Sequence, residues 1–134
     1  MTEFYLATTP RDYQACHEIL DKLGRVAEIP LSFPTIVGKR DGKIVAFIST
    51  RNLKRTKMIC VGELGIDPAI KRPQFILLKL LETYDAFLLS KGVVSYLACI
   101  PLKMKHYLDV IEKVAGIKPY TQDSEYAWIN RRLI

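Results

Sequence analysis

The sequence has few of the residues that build metal centres and disulfide frameworks. It contains two histidines and three cysteines, and Cys16, Cys60 and Cys99 are widely spaced and form no C-x-x-C pair. This spacing predicts no metal site and favours reduced, buried thiols in a cytoplasmic setting. No apolar run approaches the roughly 18 residues that a membrane span needs, and the N-terminus lacks the charged-then-apolar pattern of a signal peptide. We therefore expect a cytoplasmic protein without a membrane partner.

The glycine-rich loops that mark several enzyme classes are also missing. The chain has neither a G-x-S-x-G nor a Walker-type loop, and no glycine lies between Gly65 and Gly92. These absences argue against an α/β-hydrolase nucleophile and against a P-loop nucleotide site.

Positive charge is present in excess. The 134 residues carry a formal net charge of +6, which favours an acidic partner such as nucleic acid, a phosphorylated cofactor or an anionic surface, or indicates only a soluble basic surface. The run "RNLKRTK" at 51–57 is the strongest nucleic-acid candidate. Aromatic residues do not interleave with the basic runs, so nucleic acid is not the favoured partner.

The pattern of apolar residues predicts a single α+β domain over residues 1–134, with a mixed central sheet flanked by helices in the order β-α-β-β-β-α-β-α-β-β. Thr9 before Pro10 predicts a helix start, and Asp41-Gly42 predicts a tight hairpin. The apolar segment "KMICVGELGID" predicts a strand buried on both faces. "IKPY" at 117–120 and "YAWINRRL" at 126–133 predict the last two strands.

One stretch joins three elements in an order that has chemical meaning. In "GELGIDPAIKRPQFILLKLLE", at 62–82, an apolar strand passes through a basic turn directly into a leucine-rich helix. Helix N-terminal N–H groups point at an anion placed before the helix, so strand, basic turn and helix together are typical of a phosphate seat.

The element order, with "ELGIDPAIKRPQFILLKLLETYDAFLLSKGV" at 63–93 and "AGIKPY" at 115–120, resembles the GNAT-type N-acetyltransferases over nearly the whole chain. A weaker likeness links it to small GNAT-like proteins of short-tailed phages. The resemblance implies acetyl-CoA as cofactor and a strand that splays from its neighbour near residues 64–66. Backbone groups of Leu64, Gly65 and Ile66 are then expected to hold the pantetheine arm and the thioester carbonyl.

The resemblance also gives the basic turn a role. The family's turn, Arg/Gln-x-x-Gly-x-Gly/Ala, binds the cofactor's pyrophosphate through its amides, and the residues of this chain that match it are Lys71, Arg72, Pro73, Gln74, Phe75 and Ile76. Lys71 and Arg72 add cations suited to phosphate. The motif is degenerate, however, because Gln74 and Ile76 replace the two small residues. The branched Ile76 side chain is expected to crowd the diphosphate or the neighbouring strand.

Two residues are candidates for the chemistry of amide formation, which needs a base for the amine and an acid for the leaving thiolate. Glu63 is the candidate base, because it lies in an apolar strand just before the expected splay and burial there raises a carboxyl pKa. The alternative for Glu63 is a surface-facing glutamate. Tyr107 is the candidate acid by resemblance, since family members often carry a tyrosine on the last helix; its alternative is core packing.

Two functions remain open at this point. The first is an acetyl-CoA-dependent N-acetyltransferase that acts on a primary amine of a small molecule or a protein. The second is a catalytically inactive GNAT-fold protein, such as a phage virion or host-interaction component, whose basic surface binds an acidic partner. Closed pairing beside residues 64–66 favours the second. The sequence decides neither the acceptor nor the oligomeric state.

Overall fold

A computed structural model describes residues 1–53 and 58–134 of the chain. Within these ranges the elements follow in the order β1 (Thr2–Leu6), α1 (Pro10–Lys22), β2 (Thr35–Arg40), β3 (Lys43–Leu53), β4 (Met58–Ile66), α2 (Pro73–Ser90), β5 (Ser95–Pro101), a short 3₁₀ helix (Leu102–Met104), α3 (Lys105–Ala115), β6 (Thr121–Gln122) and β7 (Tyr126–Arg132). The described strands form one seven-stranded sheet in the order β1-β2-β3-β4-β5-β7-β6. The pair β4–β5 is parallel and the others are antiparallel. The predicted fold class, α+β with a mixed central sheet, is therefore confirmed.

Two local sequence signals produce the structure they predict. At the start of α1 the Thr9 hydroxyl accepts a hydrogen bond from the Asp12 N–H, and the Asp12 carboxylate accepts one from the Thr9 N–H. This is the reciprocal arrangement that stabilises a helix N-terminus. Asp41 and Gly42 have φ angles of 52° and 76° in the turn between β2 and β3, as a two-residue hairpin requires.

The helices cover the two faces of the sheet unequally. The buried side chains of α1 pack on one face with Val37 and Phe47, and α2 and α3 pack together on the other face around Tyr84 and Ile111. We call these the α1 face and the α2 face. Within the described ranges, no helix has both the length and the apolar character that a membrane crossing needs.

Two strand predictions were wrong. Residues 117–120 form no strand: α3 ends at Ala115, Gly116 follows it in the left-handed region, and β6 begins only at Thr121. Pro119 lacks the N–H that a strand ladder uses. In β4, residues 59–64 are only partly buried, although the sequence predicts burial on both faces. The reason is the position of β5, described next.

Candidate active site: an open fork between two parallel strands

The strand β4 has two neighbours that hold it very differently. Its ladder with β3 runs from the pair Leu53–Met58 to the pair Ala46–Ile66. Its pairing with β5 is limited to Cys60 and Leu97. Towards their C-terminal ends β4 and β5 therefore diverge and leave a fork, at the position that the family resemblance implies.

A cavity of about 730 Å³ occupies this fork and has walls from both faces of the sheet. Ala98, Ile100 and Ile129 contribute apolar side chains on the α2 face. On the other side the walls include Cys99 and Tyr126 of the strands and the segment 23–27 that follows α1. A molecule in the fork can therefore contact groups on both faces of the sheet.

A β-bulge in β4 shapes the closed end of the fork. The register with β3 shifts between the pairs Ile48–Leu64 and Thr50–Val61, so β4 contains one extra residue at Gly62–Glu63. The Ser49 hydroxyl accepts a hydrogen bond of 2.8 Å from the Glu63 N–H, and Ser49 is buried. Bulges re-aim side chains, and here the bulge directs Glu63 towards the segment that follows α1.

Beyond the bulge the backbone of β4 alternates between its two neighbours. The Leu64 carbonyl accepts its hydrogen bond from Arg25, which lies outside the β3 ladder. Backbone groups of successive residues in a strand point to alternate neighbours. The N–H and C=O groups of Leu64 and Ile66 therefore face the fork, and those of Gly65 face β3. Gly65 is glycine for a packing reason, because a Cβ there would lie 2.8 Å from the Phe47 ring and 3.3 Å from Ile19 of α1. Of Leu64, Gly65 and Ile66, it is Leu64 that lines the cavity.

Glu63, the candidate base, lines the cavity and is paired with Arg25. Its side chain is 28% exposed, so the burial expected from the sequence is only partial. The Arg25 guanidinium also donates a 2.9 Å hydrogen bond to the Leu64 carbonyl and lies 3.7 Å from the Met104 sulfur. Arg25 thus connects the segment after α1, the bulged strand and the start of α3 across the fork.

Tyr107, the candidate acid, lies in the same cavity as Glu63. Burial raises the pKa of the Tyr107 hydroxyl, and hydrogen bonding to the Ile66 backbone and the positive charge of Arg25 oppose that shift. A tyrosine in this environment keeps its proton at neutral pH and can donate it. The structure therefore brings both predicted catalytic side chains to one cavity, and Arg25 lies near both of them.

The turn between β4 and α2 is fastened by a buried carboxylate. Asp67 is 3% exposed and accepts hydrogen bonds from the Ala69 N–H at 3.0 Å and from Lys22 at 3.1 Å. The hydrogen bond from the Ala69 N–H is the main cause of a lowered pKa at Asp67, and the Lys22 ammonium lowers this pKa further. The turn is therefore a fixed element whose carboxylate stays charged at neutral pH.

The residues matched to the family's pyrophosphate turn lie outside the cavity. Lys71 and Arg72 are exposed just before α2, and within the described ranges no carboxylate lies within 4.0 Å of either. Phe75 is exposed, while Pro73 and Gln74 are partly buried.

Ile76 does not stand in the turn as the sequence suggests. Its side chain is 2% exposed and packs in the core on the α2 face. Helical geometry turns this residue towards the sheet, so of the two expected outcomes, crowding of the diphosphate or of the neighbouring strand, the structure bears only on the second, and the first stays a prediction. Gln74 remains as the bulky residue of the turn.

Neither of the two histidines lines the cavity of the fork. His17 is structural: its ring contacts the Tyr13 carbonyl at 2.9 Å and accepts a hydrogen bond from the Ile29 N–H at 3.0 Å. His106 is exposed. The basic run at 51–57 falls mostly outside the described residues, at 54–57. Among the residues that the structure describes, no three metal-ligating side chains cluster.

Sequence reasoning missed two residues of the fork. Ser49 left a signal, since it is a polar residue in the apolar run "IVAFIST" and buried polar groups need a partner. The sequence gives no signal for Arg25, because this residue lies in a segment without periodicity and contacts Leu64, which is 39 positions away in the sequence.

No protein-family model matches the sequence, and no curated protein matches it either. Solved structures do. A ribosomal-protein-alanine N-acetyltransferase from Escherichia coli has a TM-score of 0.77 at 16% identity, with 99% of this chain and 94% of that one covered. An aminoglycoside 6'-N-acetyltransferase from Enterococcus faecium has a TM-score of 0.74 at 11% identity, with 100% and 97% covered.

The Campylobacter jejuni N-acetyltransferase PseH, in complex with acetyl coenzyme A, has a TM-score of 0.62 at 16% identity, with 98% and 99% of the two chains covered. The first two enzymes differ in the acceptors that their names give, and all three share the architecture described above. At these identities the likeness establishes the fold. The chain has the fold of the GNAT N-acetyltransferases.

Proposed function

We propose that the protein is an acetyl-CoA-dependent N-acetyltransferase that moves an acetyl group to a primary amine. The observation that carries the proposal is the fork between β4 and β5, which opens on both faces of the sheet and has Glu63 and Tyr107 on its walls. One face can admit the cofactor while the other admits the acceptor. Two reactants held in one cavity gain the rate advantage of proximity.

Acetyl-CoA is the proposed cofactor. In this proposal the pantetheine arm pairs with the outward-facing backbone of Leu64 and Ile66 as an added strand does, and it competes there with Arg25 for the Leu64 carbonyl and with Tyr107 for the Ile66 backbone. The pyrophosphate lies at the N-terminus of α2, close to Lys71 and Arg72, where helix N–H groups and two cations favour an anion. The bound acetyl-CoA supplies the activated thioester. The proposal also requires that Ile76, buried in the core, leave the turn free for this role.

The proposed reaction is one acyl transfer. The acceptor nitrogen attacks the thioester carbonyl carbon, a C–N bond forms and the C–S bond breaks. Glu63 takes the proton that leaves the nitrogen, and Tyr107 gives its proton to the departing sulfur. The products are an N-acetyl amide and the free thiol of CoA, and solvent returns both side chains to their starting protonation states.

The non-catalytic alternative has lost the feature that favoured it. Continuous pairing of β4 with β5 near Gly65 is what a protein unable to admit a cofactor would show. The described strands instead pair only at Cys60 and Leu97. We therefore do not retain it as the proposal. A cytoplasmic location remains part of the proposal, supported by the three free cysteines.

The first experiment is thermal unfolding with and without about 1 mM acetyl-CoA. A ligand that binds the native state raises the apparent stability, by about 2.7 kcal/mol at a hundredfold excess over Kd. We expect a clear rise in Tm with acetyl-CoA and a smaller rise with acetyl-pantetheine, which lacks the phosphates. An unchanged Tm with acetyl-CoA contradicts the proposed function.

A further inference from the structure

The charged side chains on the cavity wall are mostly basic. Arg25, Lys103 and Arg131 line the cavity together with a single carboxylate, Glu63. Arg131 has its own partner, Asp85, at 3.3 Å. Lys103 is exposed, and within residues 1–53 and 58–134 no carboxylate lies within 4.0 Å of its ammonium. A polycationic acceptor is repelled from such a wall, and an acceptor with negative charge is attracted.

Arg25 lies where an acceptor has to meet the base. Its guanidinium contacts both the Glu63 carboxylate and the Leu64 carbonyl. An arginine has five N–H donors in a planar fork, so Arg25 has donors left for a further anion after these two contacts. An anionic group bound beside Glu63 brings a nitrogen a few bonds away to the carboxylate that takes its proton.

Within the described ranges, the side chains of β5 and β7 on the α1 face adjoining these residues are mostly exposed, with no helix over them. Cys99 and Tyr126 line the cavity on this face, and Trp128 stands beside Tyr126 with a ring separation of 6.5 Å. All three side chains are exposed. The cavity wall near this face therefore combines the aromatic ring of Tyr126 with basic side chains. The basic side chains favour an anion and the apolar and aromatic ones favour the organic part of a small molecule, so the wall suits a small organic anion.

We infer that the acceptor is a small amine that also carries an anionic group, with Arg25 and Lys103 holding the anion while the nitrogen reaches Glu63. This inference rests on the proposed function and adds the class of acceptor to it. It concerns acceptor selection alone, so acetyl-CoA binding does not depend on it.

The test compares amines that differ in the charge beside the nitrogen. The probes are L-leucine against L-leucinamide, and O-phosphoethanolamine against ethanolamine, with release of the CoA thiol as the readout. The amide has the less basic amine nitrogen, so a larger fraction of it is unprotonated at neutral pH and able to attack. We nevertheless expect kcat/KM to favour the anionic member of at least one pair by about tenfold or more. The pair that responds distinguishes a carboxylate from a phosphate.

A matched pair of variants assigns the preference to the cavity wall. Lys103→Gln removes a lining cation, and Lys105→Gln removes an exposed cation two residues away that does not line the cavity. We expect the preference for the anion to shrink severalfold in Lys103→Gln, through KM, and to persist in Lys105→Gln. The Kd of acetyl-CoA should stay the same in both.

Three results overturn the inference. The first is an equal or better kcat/KM for the uncharged member of both pairs, or for spermidine. The second is an unchanged preference in Lys103→Gln. The third is binding of acetyl-CoA with no turnover of either anionic amine. In all three cases acetyl-CoA still binds, so the proposed function stands, whereas a failure to bind acetyl-CoA contradicts both.

Discussion

The strand β4 is closed on one side and open on the other. Its ladder with β3 extends over almost the whole strand and is interrupted only by the bulge at Gly62–Glu63, whereas its pairing with β5 is confined to Cys60 and Leu97. The closed side makes the strand rigid, and the open side leaves backbone groups for a ligand. A site needs both, because exposed backbone binds well only when something else holds it in place.

The largest expected effect tests the open side. Glu63→Gln keeps the size of the side chain and removes the base, so we expect kcat to fall by about 10²- to 10⁴-fold while the Kd of acetyl-CoA stays the same. Initial rates and calorimetry measure the two quantities. Glu82→Gln, on the exposed surface of α2, serves as the control and should not change either. An equal loss in the control, or a parallel loss of acetyl-CoA binding, contradicts the role of Glu63.

The second prediction concerns the other wall of the fork. Tyr107→Phe removes the proton donor, and because a thiolate leaves readily we expect a fall in kcat of about 10- to 100-fold. Burial raises the pKa of Tyr107 above the ordinary tyrosine value of about 10. The hydroxyl therefore keeps its proton up to at least about pH 10. Wild-type kcat should therefore hold to about pH 10 and fall only above it. A high-pH limb that survives unchanged in Tyr107→Phe argues against an acid role.

The third prediction tests the closed side. Ser49→Ala leaves the Glu63 N–H of the bulge without its acceptor, and we expect the free energy of unfolding to fall by about 1–3 kcal/mol. Urea unfolding measures the loss. Ser90→Ala, which removes a hydroxyl bonded to a backbone carbonyl at the exposed end of α2, should change stability by less than about 0.5 kcal/mol. Equal effects of the two substitutions show that the bulge does not depend on Ser49.

The smallest effects are expected at the turn after β4. Lys71→Gln and Arg72→Gln each remove an exposed cation, so we expect each to raise the Kd of acetyl-CoA by about two- to fivefold. The effect should shrink as the salt concentration rises. The control is Lys79→Gln, one and a half turns into α2 and paired with Glu82. A Kd that does not change in either turn variant indicates that the phosphates lie elsewhere.

Local elements of the fold could be predicted from the sequence, and little of the open side of β4 could. The capped start of α1 and the Asp41-Gly42 hairpin are local signals, and both are confirmed. The fork is a difference in pairing between strands that are distant in sequence, so no local pattern contains it, and only the family resemblance indicated it. Arg25 enters the site from a segment whose course is set by tertiary contacts.

Ile76 shows how two sequence signals can conflict. A motif counted by position assigned it to the turn, while its spacing of four residues from Leu80 and eight from Tyr84 matches the buried stripe of α2. Helical periodicity was the better guide here, since burial of a large apolar side chain outweighs the preference of a turn position. Of the two large residues that replace the family's small ones, Ile76 is therefore explained by core packing.

The most direct test of the account is a calorimetric titration of acetyl-CoA into the wild type and a variant whose fork is filled. Ala98 lines the α2 side of the cavity and is 9% exposed, and Ala98→Leu places three more carbon atoms in the fork. Ala86→Leu makes the same change at an exposed position of α2 outside the cavity. We predict saturable binding by the wild type and by Ala86→Leu, and binding at least about tenfold weaker in Ala98→Leu with its urea midpoint retained. Equal affinity in all three proteins, or no heat of binding in the wild type, contradicts the claim that acetyl-CoA binds in the fork.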